Sequence, residues 1–190
     1  MARSKTTTTS KKGNRLLYLV PVLAVVLTVA VYAIAALPTP SNPPVMNYTV
    51  QLSIQVASVQ PNGTRGIQFI IPQGVGEAGL SWYAHTYDGN GLQGRYPLYI
   101  DPPAGQGYPG YSLVHVVSSV YHNYTMGDLF AVWGKSLGQN DTIGVQAQNG
   151  NQWSMCVGPS RSGSRPGLWG QEPLVNYNTI TLLYDNIGCL

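Results

Sequence analysis

The chain predicts an α+β fold that is mostly β: a β-grasp-like exported domain with one short helix, behind a single N-terminal transmembrane helix. Three observations carry this reading. Leu16 to Leu37 is an uncharged apolar run of 22 residues. Residues 48–56 alternate apolar and polar with the period of a half-buried strand. One compact stretch, Thr125 to Gly134, has helical spacing between a capping residue and a glycine. An all-β sandwich is the alternative for the domain.

As a helix the apolar run reaches about 33 Å, enough for a hydrocarbon core of about 30 Å. Arg3, Lys5, Lys11, Lys12 and Arg15 all precede it. The positive-inside bias therefore holds residues 1–15 in the cytoplasm and exports residues 38–190, placing a single-pass protein in the plasma membrane. Ala33 and Ala35 offer the competing reading of a cleaved signal peptide, but a secretory apolar region is usually about 7–15 residues. Residues 38–46 open with Pro38, Pro40, Pro43 and Pro44 and form a semi-rigid stalk. Residues 47–190 form the extracytoplasmic domain.

The net charge of +3 belongs to the tail. Five of the ten cations lie in residues 1–15, which leaves residues 38–190 with five cations against all seven carboxylates. A folded part so poor in cations excludes nucleic acid as a partner. Cys156 and Cys189, both exported, suit a disulfide, which persists outside the cytoplasm. Four acceptor sequons begin at Asn47, Asn62, Asn123 and Asn140 and suit a glycosylated exterior.

The domain opens with a strand carrying Tyr48, Val50, Leu52, Ile54 and Val56 on one face and Thr49, Gln51, Ser53 and Gln55 on the other. Pro61 to Thr64 turns the chain, and Gly66 to Ile71 returns as the second strand of a hairpin ended by Pro72. Strands are predicted over Gly79 to Tyr87 and Tyr111 to Val117, joined by a long loop from Asp88 to Gly110. Thr125 caps the helix, with Asp128 three residues later and Met126, Leu129, Phe130 and Trp133 on one face. Thr142 to Gln148 and Gln152 to Val157 read as a second hairpin around Asn149-Gly150-Asn151, and Thr179 to Tyr184 as the last strand.

Four stretches resemble a family: Ile71-Pro72-Gln73-Gly74-Val75-Gly76, His85-Thr86-Tyr87-Asp88, Val114-His115-Val116-Val117, and Tyr124 to Gly134 (YTMGDLFAVWG). Together they are similar to an uncharacterised family of exported or membrane-anchored archaeal and bacterial proteins, notably from ammonia-oxidising archaea, whose pattern runs IPxGIG, HTHD, IHVE and YTLGxFFxVWG. The resemblance covers about residues 50–135. The family's histidines imply a copper or zinc site, and His85, His115 and Asp88 stand at matching positions. Tyr87 replaces the second His of that pattern and Val117 its Glu.

No catalytic constellation is legible. Gly134-Lys135-Ser136 lacks the upstream glycine of a phosphate loop, there is no G-x-S-x-G or H-E-x-x-H, and Glu77 and Glu172 are the domain's two glutamates. Trp82, Tyr96 and Tyr99 instead suggest an aromatic binding surface for glycans or a partner protein. The expected function is non-catalytic: an anchored extracytoplasmic domain with a binding or structural role, accessory to an envelope or membrane complex and held to the membrane by Leu16 to Leu37. A copper- or zinc-binding protein is the alternative; otherwise no cofactor is implied.

Overall fold

The computed structural model describes residues 43–59, 65–80, 82–101, 110–158, 164–185 and 188–189. The tail, the apolar run Leu16 to Leu37, the stalk up to Asn42 and the turn Pro61 to Thr64 lie outside these residues. Among the described residues no helix is long and apolar enough to cross a membrane. The domain is mostly β with one short helix.

Its spine is β1 (Met46–Val59), the alternating strand expected from the sequence and longer at both ends. β2 (Arg65–Ile70) and β4 (Ser112–Ser118) are both antiparallel to it, β2 along Ile54 to Val59 and β4 along Met46 to Leu52. β9 (Thr179–Asp185) runs parallel to β1 from Gln51 to Val56 and so occupies its other edge. β2 and β4 therefore lie end to end, like one strand interrupted by residues 71–111. β7 (Gln152–Gly158) is antiparallel to β9, and the two-residue β8 (Arg165–Pro166) closes that side. β3 (Leu98–Ile100) closes the other, for a seven-stranded order of β3-β4-β1-β9-β7-β8 with β2 beside β1.

Strand alternation sends Val50, Leu52 and Ile54 of β1, Ile180 and Leu182 of β9, and Trp153 and Met155 of β7 to one face, where they are buried. Helix α1 (Met126–Trp133) packs on that face through Met126, Leu129, Phe130 and Val132. Its ends follow the sequence code. The Thr125 hydroxyl accepts from Asp128 N–H at 3.3 Å while the Asp128 carboxylate accepts from Thr125 N–H at 2.9 Å, and Gly134 closes the helix in the left-handed region at φ 68°.

Three expectations are corrected. Gly79 to Tyr87 is not a strand: the described residues there form turns and loop, and Tyr83 N–H donates to the Val132 carbonyl at the helix end, so its hydrogen bonds leave the sheet. The long loop from Asp88 to Gly110 contains strand β3, because Tyr96 and Ile100 N–H groups donate to the carbonyls of Gly76 and Val75 and lay the segment beside β4. Gly76, at φ 65°, permits this, since a Cβ there would meet the Leu98 carbonyl. The second hairpin is reduced to its turn, a single antiparallel bridge between Gln148 and Asn151. β5 (Asp141–Thr142) pairs with β6 (Val145–Gln146), while β9 takes one edge of β7, β8 meets the other only at Cys156 and Val157, and Trp153 N–H donates to the Gln139 carbonyl. Asn149 and Gly150 nevertheless turn, at φ 53° and 77°.

Candidate functional site

The second face of the sheet carries no helix among the described residues. β1 sends Gln51, Ser53 and Gln55 there, and β9 sends Thr179, Thr181 and Leu183. Two clefts of about 220 Å³ and 280 Å³ lie on this face and share Gln55, Ile67, Thr179 and Thr181 as lining, so they form one groove. The disulfide Cys156–Cys189, with Cα atoms 5.4 Å apart, walls one end and ties the C-terminal segment to β7. Phe69, Gly110 and Tyr111 wall the other. Gly110 adopts φ 94°, and a Cβ there would meet the Phe69 ring at 2.8 Å.

The floor is a row of uncharged polar side chains. Thr179 Oγ1 donates to Gln51 Oε1 at 3.1 Å, Ser53 Oγ donates to the Gly110 carbonyl, and Gln55 Nε2 donates to Ser53 Oγ at 2.9 Å. These bonds orient the Gln55 amide. The single Ser53 hydroxyl proton goes to Gly110, so Ser53 accepts from Gln55, and Nε2 must be the donor. That leaves Gln55 Oε1 buried and without a hydrogen-bond partner in a residue only 6% exposed. A buried acceptor left unpaired costs about 1–3 kcal/mol. The groove's described charge is Asp185, whose carboxylate accepts from Gly188 N–H at 3.0 Å. At the rim, Ile67 and Phe69 are 53% and 44% exposed.

The expected metal ligands are not brought together. His85 Nδ1 lies 2.8 Å from Asp88 Oδ2 on the helix side, and Trp82 Nε1 donates to Asp88 Oδ1 at 2.8 Å. The Trp82 indole, and then His85, hold the Asp88 carboxyl below its usual range. His115 points from β4 to the opposite face, 3.1 Å from Asp101 Oδ2 and stacked on Tyr99 at 4.7 Å. Strand alternation and the loop course separate the two histidines. Among the described residues no group of three or more His, Cys, Asp or Glu side chains could hold a metal ion.

His115 belongs to a network. Arg95 lies 4.6 Å above the Tyr99 ring, 3.2 Å from Glu77 and 3.9 Å from Asp101. Burial pushes the Glu77 carboxyl up, Asp101 beside it adds to this, and Arg95 opposes both. Burial pulls the His115 imidazole below its ordinary 6.5 against the pull of Asp101.

The expected aromatic surface is also corrected. Tyr96 is 1% exposed and Tyr99 8%. Tyr96 packs edge-on to Trp82 and Tyr87 in the core, where burial pushes its phenol up to about 12. Trp82 is half-buried against the same cluster. Among the described residues, the exposed tyrosines are 83, 121 and 177. Among the sequons, Asn47, Asn123 and Asn140 are exposed, and Asn62 lies outside the described residues.

Sequence reasoning missed Gln55, Thr181, Ile67 and Phe69. Their only signal was strand alternation, which marks a polar face without saying that a parallel neighbour will bury it. No protein-family model, curated protein or solved structure matches the chain.

Proposed function

We propose that this chain is a membrane-anchored extracytoplasmic binding domain, non-catalytic, and that the groove over β1 and β9 is its binding site. The observation that carries the reading is the pair of adjoining clefts over β1 and β9, floored by Ser53, Gln55 and Thr181 and rimmed by the exposed Ile67 and Phe69. Among the described residues, the His85–Asp88 pair and the Glu77 network lie away from the groove lining. The Leu16 to Leu37 run and the cation asymmetry support the anchor, and the disulfide supports an oxidising compartment. The β-grasp assignment rests on the β1–β2 hairpin, the helix that follows, and the parallel pairing of β1 with the chain's last strand. A role as accessory subunit of an envelope complex follows from a stalked domain with a binding face.

Hydrogen exchange on the full chain, extracted natively in mild detergent and compared before and after bound material is stripped, tests the reading. Protection at residues 51–55 and 179–183 is expected to fall on stripping. Unchanged exchange there rejects the groove as the site. Protease shaving of intact cells is expected to remove the domain from outside; a protected domain rejects the topology.

A further inference from the structure

We propose that the end of the domain at which β1 begins rests on the headgroup layer of the bilayer, an interfacial contact added to the anchor; this rests on the anchor reading above and not on the groove. The chain itself brings this end to the membrane. Val45 stands eight residues after Leu37, and residues 38–44 span about 22 Å at about 3.1 Å per residue, so the start of β1 stays near the bilayer whichever way the stalk leans. A tether that short keeps the local concentration of lipid high at the base, so weak contacts suffice.

The topology gathers exposed apolar side chains at this end. Val45 N–H donates to the Ser118 carbonyl at 2.8 Å and His122 N–H donates to Met46 Sδ at 3.2 Å, which sets the loop after β4 beside the start of β1. Tyr177 N–H donates to the Thr49 carbonyl at 3.2 Å and the Tyr48 hydroxyl to the Leu174 carbonyl at 2.7 Å, so the approach to β9 lies there too. Val45, Tyr121 and Tyr177 are 61%, 75% and 85% exposed, and Val120 and Val175 in the same loops are exposed as well. Tyr177 stands at φ 61°, a left-handed conformation that a bulky side chain seldom adopts, and it is the most exposed of the five. Residues 43–50, 118–124 and 174–178 carry none of the chain's Asp, Glu, Lys or Arg. That composition suits the membrane interface. Tyrosine is enriched there because its ring is apolar and its hydroxyl stays wet, and valines beside it enter the boundary between headgroups and acyl chains with no charge to desolvate. An exposed apolar patch marks a protein or a membrane contact, and the short chain path from this patch to an apolar run of 22 residues selects the membrane.

The test is tryptophan fluorescence of the full chain reconstituted in phosphatidylcholine vesicles, with and without phosphatidylcholine brominated near the headgroup end of its acyl chains as the quencher. Tyr121→Trp and Tyr177→Trp each place a reporter in the patch, and Ile67→Trp places one on β2 opposite Ala57, towards the other end of β1. All three positions are exposed, so no substitution disturbs the core. The emission that each variant adds over the parent is expected to be quenched at least about twofold more at the two base positions than at Ile67→Trp. Val120→Asp, combined with Tyr121→Trp, is expected to bring the quenching down to the Ile67→Trp level. Base reporters quenched no more than Ile67→Trp in a chain that floats with the vesicles, or quenching unmoved by Val120→Asp, overturn the proposal, leave the anchor standing and give the patch to a protein partner. A chain that does not float with the vesicles overturns the anchor and the proposal together. Peptide mass mapping of the native chain is a second check. The Tyr121 hydroxyl donates to Asn123 Oδ1 at 3.2 Å, so a glycan on Asn123 would set a bulky polar group in the contact and overturn it, and an unmodified Asn123 is expected.

Discussion

The two faces of β1 are built from alternate residues of one strand, and both are buried, but they are not buried in the same way. Val50, Leu52 and Ile54 enter a core closed by α1, β9 and β7 and are at most 1% exposed. Ser53 and Gln55 are 6% exposed and sit beneath a groove that no described element fills. The first face is apolar except at Ser112 and Ser118 of β4, where the Ser118 hydroxyl donates to the Val120 carbonyl and Ser112 Oγ is buried without a partner. On the second the polar groups satisfy one another down to a single acceptor, Gln55 Oε1. The contrast teaches that similar burial has two settings: a close-packed apolar core on one face, and on the other a hydrogen-bonded polar floor under an open groove.

The sharpest way to break the comparison is to truncate each face. Leu52→Ala, which opens a cavity in the core, is expected to cost about 2–5 kcal/mol by urea unfolding, while Thr181→Val on the groove face is expected to stay within about 1 kcal/mol. Equal costs would mean that the groove is core. Next in size is the disulfide at the groove's end. Replacing Cys156 and Cys189 by Ser releases a loop closed across a separation of 33 residues and is expected to cost about 3–4 kcal/mol through loop-closure entropy. A change in hydrogen exchange of β7 and β9, with the rest of the sheet spared, would place that cost at the groove.

Smaller effects sharpen the contrast. Gln55→Leu removes the unpaired acceptor and is expected to stabilise the unliganded chain by up to about 1 kcal/mol, read as a higher thermal midpoint. A destabilised Gln55→Leu would mean that the amide is structural. The smallest effect is at His115, whose folded imidazole titrates below 6.5 because of burial. A depressed folded value means stability fully present above 6.5 and lost as pH falls through the folded value. Urea midpoints measured from pH 8 to pH 5 are therefore expected to decline, and His115→Gln to flatten that part of the decline. Asp101, Arg95, Glu77 and Tyr99 all face this ring or its partners, so the variant must be compared at constant ionic strength.

Much of the fold was legible because its signals are local. The alternation from Tyr48 to Val56, the Thr125–Asp128 capping box, the Gly134 stop and the strands around Trp153 and Leu182 each depend on residues within one turn or one strand. The failures are non-local. Gly79 to Tyr87 reads as a strand in isolation, yet its hydrogen bonds go to the end of α1. Tyr96 reads as a surface aromatic in a polar loop, yet Gly76 and Trp82 draw it into the core. The histidines at 85 and 115 match a metal pattern in order along the chain, yet strand alternation turns His115 onto Asp101 and Tyr99 while a loop holds His85 on Asp88.

By itself the sequence determined the elements whose codes close over a few residues: the alternating first strand, the capped helix, the glycine turns and a cysteine pair suited to a disulfide. It also set the charge split across the apolar run. Tertiary structure alone decided which polar residues became a site. Gln51, Ser53 and Gln55 look solvent-facing in any strand read by itself. Only the parallel pairing with β9, brought from the far end of the chain, and the approach of Gly110 over Phe69 bury Gln55 and leave its oxygen unpaired. That outcome depends on contacts more than 50 residues apart, such as the Ser53–Gly110 bond with its separation of 57, and no local hydrogen-bonding or steric rule reaches so far.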